Sequence, residues 1–138
     1  MDNTILDKEE GGATSEVASY VNKDKILFAG THLLIDLWGA TNLNSPKEIE
    51  QVLKNCAIEC GATILHSHMH HFSPQGVSGV VVLAESHISI HTWPERQYVA
   101  LDIFMCGNCN PYNSIDILKS YFNPQSIQIS ENKRGVKV

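Results

Sequence analysis

Between Glu85 and Glu95 the chain reads Glu85-Ser86-His87-Ile88-Ser89-Ile90-His91-Thr92-Trp93-Pro94-Glu95, and a thiol, Cys106, follows twenty positions after Ser86. Successive side chains of a strand point to opposite faces, so Ile88, Ile90 and Thr92 share one face while His87, Ser89, His91 and Trp93 share the other. If residues 77–84 and 87–93 form a hairpin, Glu85-Ser86 lies at its tip, and a turn at residues 94–97 returns Cys106 towards the height of Ser86. Serine, imidazole and thiol can then converge, which is the material of nucleophilic attack and proton transfer. A single Ser or His in a strand is most often only hydrogen-bonded structure; the constellation is what marks a site.

Two other groupings compete. His66, His68 and His70 share one strand face and offer three imidazoles for a metal. Same-face neighbours on one strand form a row rather than a tetrahedral cap, and no carboxylate follows at ligand spacing, so no metal is assigned. Cys106-Gly107-Asn108-Cys109 is a C-x-x-C between a strand and a helix, the place of a thiol–disulfide exchange motif. The strands before it lack the parallel strand-helix-strand order that such folds use. Cys56 and Cys60 fall on the buried face of a helix and read as core.

The elements that must position these residues follow from pattern and punctuation. Ile26–Ala29 and Leu33–Trp38 read as strands, broken over residues 42–46. Ser45-Pro46-Lys47-Glu48 is a helix start, because the Ser hydroxyl caps the third backbone N–H and Pro46 sits where none is needed. Ile49, Val52, Leu53, Cys56 and Cys60 then recur on one face, and Gly61 provides the left-handed stop. Four strands are expected at residues 62–70, 77–84, 87–93 and 98–106; connections this short force antiparallel neighbours. A second helix begins near Asn110-Pro111 and buries Ile115, Leu118, Tyr121 and Phe122, and residues 126–130 alternate as a last strand.

The resulting fold class is α+β: a two-layer antiparallel sheet with two helices on one face. The other face also carries Val, Ile and Phe, so it is expected to be covered by a second subunit, giving an α/β/β/α dimer. Residues 1–25 are polar, glycine-containing and aperiodic and read as a mobile arm, and residues 26–138 read as a single domain. The length of 138 residues, with 43% hydrophobic and 18% charged, leaves room for one core. Ten Lys+Arg against fifteen Asp+Glu give a formal charge of −5, which disfavours nucleic acid and anionic lipid as partners. No run is long and apolar enough for a membrane span and the N-terminus is unlike a secretory signal, so a cytoplasmic protein with four free thiols is expected.

Three runs, Gly76-Val77-Ser78-Gly79-Val80-Val81-Val82, the Glu85–Glu95 segment, and Asp102-Ile103-Phe104-Met105-Cys106-Gly107, closely resemble the prokaryotic S-adenosylmethionine decarboxylases. Weaker similarity extends from about Gly30-Thr31-His32 to the last expected strand, leaving only the arm outside. The resemblance implies a proenzyme that cuts itself between Glu85 and Ser86 and leaves a pyruvoyl group, made from Ser86, at the new N-terminus. It implies that this ketone takes the substrate amine as a Schiff base and acts as electron sink for decarboxylation, with no external cofactor. It assigns His91 and Ser78 to processing and Cys106 to proton donation. It places Phe72 against an adenine, with Trp93 and Glu95 reaching the pocket from the opposite subunit of a homodimer. Among the histidines of the row, only His70 has a usual counterpart in the family. The implied role is supply of decarboxylated S-adenosylmethionine for spermidine synthesis. Relatives that share the self-processing signature act on ornithine or arginine, and Phe72, as a stacking surface for a purine, favours the nucleoside.

Overall fold

The alternation read from the sequence is realised in the computed structural model, which describes residues 21–23 and 26–137. Two short strands, β1 (Val21–Lys23) and β2 (Ile26–Phe28), pair antiparallel as a small ribbon. The chain continues as β3 (Gly30–Trp38), α1 (Pro46–Glu59), β4 (Ile64–His71), β5 (Val77–Leu83), β6 (Ser86–Trp93), β7 (Tyr98–Cys106), α2 (Ile115–Phe122) and β8 (Ser126–Arg134). Single 3₁₀ turns at Pro94–Arg96 and Pro111–Ser114 precede β7 and α2. Six strands form one sheet in the order β4-β5-β6-β7-β3-β8, with every neighbouring pair antiparallel.

The α+β class, the antiparallel sheet and the two helices agree with the sequence reading. Several boundaries differ: β3 begins at Gly30 rather than Leu33, and α2 begins at Ile115, after a 3₁₀ turn, rather than near Asn110-Pro111. Val21–Lys23, assigned to the arm, forms a strand because it finds a backbone partner in β2, a pairing that composition does not reveal. The rest of the expected arm, residues 1–20 and 24–25, lies outside the described residues. The last strand runs to Arg134, because β3 offers an edge of nine residues for it to pair with.

One face of the sheet is dry. Leu33, Ile35 and Leu37 of β3, Val77, Val81 and Leu83 of β5, Ile88 and Ile90 of β6, and Val99, Leu101, Ile103 and Met105 of β7 are all buried there. Truncating one of these to Ala costs about 2–5 kcal/mol. The helices close this face. The Ser45 hydroxyl accepts the Glu48 N–H at 3.2 Å, Pro46 sits in the first turn, and Ile49, Val52, Leu53, Cys56 and Ala57 pack inward. Gly61, at φ +89°, turns the chain out of α1. Leu118 and Phe122 of α2 join the same core, with Ile115 and Tyr121 only partly buried against it. Inside β5, a Cβ on Gly79 would stand 2.1 Å from Met69 Sδ and 2.7 Å from the His68 carbonyl, so β4 and β5 approach closely only because this residue has no side chain.

Among the described residues, no helix is long and apolar enough to cross a membrane. Among the described residues, no layer covers the second face of the sheet. That face carries Leu34, 47% exposed, together with Trp38 and Val82.

Candidate active site

The β5–β6 hairpin closes with a two-residue turn, Ala84-Glu85, between the paired residues Leu83 and Ser86. Glu85 sits at φ +65°, a left-handed conformation that Gly or Asn normally takes and that costs other residues about 1–2 kcal/mol. The strained residue supplies the carbonyl that precedes Ser86. The Cys106 thiol donates to that Glu85 carbonyl oxygen at 2.9 Å, and the Cys106 backbone N–H donates to Ser86 Oγ at 3.1 Å. Ser86 is only 8% exposed. The geometry therefore holds a hydroxyl beside its own preceding carbonyl, with a donor aimed at the oxygen on which negative charge would develop.

Desolvation raises the Cys106 thiol above its ordinary value of 9.0, with the nearby Glu85 and Cys109 adding to the effect and the contact with Ser86 opposing it. A raised thiol stays protonated at neutral pH and can give a proton. The same shift argues against disulfide exchange, where the attacking thiol is lowered. Cys109 is likewise raised by burial, and the surrounding sheet is antiparallel throughout. Burial pushes Cys56 up to about 12, as its core position requires.

His91 does not join this group. It lies five residues along β6 from Ser86, about 17 Å at the rise of a strand. Its Nδ1 is 2.8 Å from the Ser78 hydroxyl, to which it is paired across β5–β6. The convergence of serine, imidazole and thiol expected from the hairpin is thus realised only for Ser86 and Cys106 within one chain, because register fixes His91 at the far end of the strand.

That far end is a site of its own. A cleft of about 300 Å³ is lined by Phe72, Gln75, Gly76, Ser78, His91, Trp93 and Glu95. Phe72 is exposed and meets His70 edge-on at 4.5 Å, while Trp93 stacks on Tyr98 at 5.2 Å and Tyr98 on Trp38 at 4.2 Å. The loop that presents Phe72 is tied down by Asn44, whose Oδ1 accepts the Gly76 N–H at 2.8 Å and lies 2.9 Å from His71 Nε2. Every residue that the resemblance named for processing or binding apart from Ser86, Glu85 and Cys106 lines this cleft. Tyr98, Trp38 and Asn44 escape a sequence reading, since only register and a loop contact bring them here.

Between the two ends lies a third cluster. Asp102 of β7 accepts His32 Nε2–H at 2.6 Å and His87 Nε2–H at 3.0 Å on one oxygen, and the Ser89 hydroxyl on the other. Burial alone would raise this carboxyl; the bonds from Ser89, His32 and His87 outweigh it and hold the group below its usual range. Alternation places Asp102, His87 and Ser89 on the open face, but their meeting with His32 depends on β3 pairing with β7, seventy residues away in sequence.

Comparison with known proteins settles the lineage. The family model described as S-adenosylmethionine decarboxylase matches residues 31–135. The chain belongs to the S-adenosylmethionine decarboxylase family. It is 44% identical over 110 residues to the S-adenosylmethionine decarboxylase proenzyme of Methanococcus maripaludis strain C5, covering 78% of this chain and 90% of that one. It is 46% identical over 110 residues to the proenzyme of Syntrophomonas wolfei, covering 78% of this chain and 87% of that one. The crystal structure of the adenosylmethionine decarboxylase from Aquifex aeolicus superposes with a TM-score of 0.72 at 34% identity, over 79% of this chain and 92% of that one. Family membership agrees with the resemblance read from the three motifs and leaves the metal-row and redox readings without support.

Proposed function

We propose that this chain is a proenzyme that cuts itself between Glu85 and Ser86 and then decarboxylates S-adenosylmethionine, using a pyruvoyl group made from Ser86. The observation that carries this reading is the placement of Ser86 Oγ beside a strained Glu85 whose carbonyl oxygen is held by the Cys106 thiol. In processing, Ser86 Oγ adds to the Glu85 carbonyl carbon and the peptide C–N bond breaks, leaving an ester and a free amine. Removal of the Ser86 α-proton expels the Glu85 carboxylate, and water then replaces the amine, which leaves as ammonia. Breaking this bond also releases the left-handed strain at Glu85.

The residues present suit the group: the donor pair from Cys106 fits the ester-forming step, and the half-buried thiol stands where a proton must be delivered. When formed, the pyruvoyl ketone supplies the electron sink for loss of carbon dioxide. Cys106, kept protonated by burial, returns a proton to the substrate carbon. Phe72 and Trp93 offer flat surfaces for a purine, and the Glu95 carboxylate suits a ribose or a sulfonium.

Ser78 and His91 cannot reach Ser86 of their own chain, so in this proposal they act on a second copy. Two chains packed through their open faces, running opposite ways, set the Ser86 end of one against the Phe72–Trp93 cleft of the other. The apolar side chains left exposed on that face, Leu34 and Val82, support such a homodimer. The test is direct. Denaturing mass analysis should find fragments 1–85 and 86–138, the second with a ketone in place of its terminal amine, and carbon dioxide should be released from S-adenosylmethionine in preference to ornithine and arginine. An intact chain under all conditions overturns the proposal; release from a basic amino acid instead overturns the substrate assignment alone.

A further inference from the structure

The His32–His87–Asp102 cluster has no part in the chemistry just described, since Asp102 lies four residues, about 13 Å, along β7 from Cys106. Its composition is nonetheless that of a metal centre. Two imidazoles and a carboxylate come from three adjacent central strands, β3, β6 and β7, and one ligand atom from each lies within 4.8 Å of the others. Unlike the His66–His68–His70 row, whose members follow one another along a single strand, these three groups point at a common volume above β7. Both histidines present Nε2, and each Nε2 is already within 3.0 Å of the same Asp102 oxygen. The other carboxylate oxygen is held by Ser89, the kind of outer contact that orients a ligating carboxylate.

We propose that His32 Nε2, His87 Nε2 and Asp102 Oδ2 form a site for a divalent first-row transition metal of the zinc class on the open face of the sheet. Two imidazoles and one carboxylate leave at least one coordination position for water or another donor. The ion takes the place of the two protons that now bridge the rings to Asp102. Each neutral ring shifts its single displaced proton from Nε2 to Nδ1, so no proton is lost overall, and the carboxylate offsets one of the two positive charges. Joining β3, β6 and β7, the metal cross-links the strands that carry Ser86 and Cys106, so its effect is on the stability of the sheet. The ligand side chains are distinct from those assigned to processing, although His87 directly follows Ser86 in the chain, and the test reads metal binding rather than splitting or turnover, so it can fail without the decarboxylase reading failing.

One neighbour opposes the metal and sharpens the test. Arg134 Nη1 donates to His32 Nδ1 at 3.1 Å, which requires a lone pair there and a proton on Nε2. Metal binding reverses that tautomer and sets an N–H against the guanidinium, so the exposed Arg134 must swing away. Removing it should therefore tighten binding.

Chelator-treated full-length protein titrated with Co²⁺ and Zn²⁺ tests the site, read by visible Co²⁺ absorption, metal content after dialysis and the unfolding midpoint. The expected result is about one ion per chain, intense absorption bands of low coordination number, and a raised midpoint with either ion. Asp102→Asn and His87→Gln should each weaken binding by more than about tenfold. His87 is 40% exposed, so the second variant leaves the core intact. Arg134→Gln should bind more tightly than the unaltered chain, and His66→Gln/His68→Gln should bind as it does. Absence of stoichiometric binding overturns the proposal, as does binding that survives both His87→Gln and Asp102→Asn, or that disappears in the β4 variant instead.

Discussion

The two ends of β6 do opposite things. At one end Ser86 is almost enclosed, its hydroxyl and preceding carbonyl pinned by Cys106 across β7. At the other, His91, Trp93 and the Phe72 loop open into a cleft rimmed by exposed aromatics. The enclosed end suits bond making and breaking, where groups must be held in fixed positions away from water; the open end suits recognition. Five residues of strand separate them, more than any side chain spans. In the proposed homodimer, bond chemistry and recognition come together where the enclosed end of one copy meets the open end of the other.

The largest effect expected is from Ser86→Ala, which should abolish both chain splitting and carbon dioxide release, as read by denaturing mass analysis and a release assay. Coexpression turns this into a test of the division between the ends. Ser86→Ala and His91→Ala should each be inactive, yet together they should restore about a quarter of wild-type sites, because random pairing makes half the dimers mixed and each mixed dimer has one intact site. No restoration would place both groups in one chain and break the comparison.

Leu34→Glu comes next. A carboxylate on the open face, beside Asp102, should dissociate the proposed dimer while the circular dichroism of the sheet persists, since an unpaired buried charge costs several kcal/mol at an interface. Light scattering should report half the mass, and turnover should collapse with it.

Cys106→Ala should still split, more slowly, while its turnover falls by about 10²–10⁴. Retention of full turnover would remove Cys106 as proton donor. The pH profile sharpens the same point. The proposed donor is the protonated thiol and burial raises its pKa, so kcat should hold through neutral pH and fall only above pH 9, the ordinary thiol value. Cys106→Ala should lack that alkaline limb. The smallest effect belongs to the open end: Phe72→Ala should raise KM about tenfold with little change in kcat, consistent with loss of one stacking surface.

Much of this molecule was determined by the sequence. Period-two alternation in Ser86–Trp93 and Tyr98–Cys106 decides which side chains are dry, because a one-residue slip would expose Ile88, Ile90, Leu101 and Ile103. The Ser45-Pro46 start and Gly61 stop of α1 are local backbone chemistry and need no tertiary partner. The three motif runs carried the family, and within them Ser86 and Cys106 meet as a hairpin followed by one more antiparallel turn dictates.

Only the tertiary structure decided what depends on register between distant strands. It placed His91 with Ser78 rather than with Ser86, drew β8 out to Arg134, paired Val21–Lys23 with β2, and assembled His32, His87, Ser89 and Asp102 from three strands. The reason is physical: alternation says which face a residue takes, but its height along the sheet, and so its neighbours, is fixed by the sum of many weak cross-strand contacts that no local window contains.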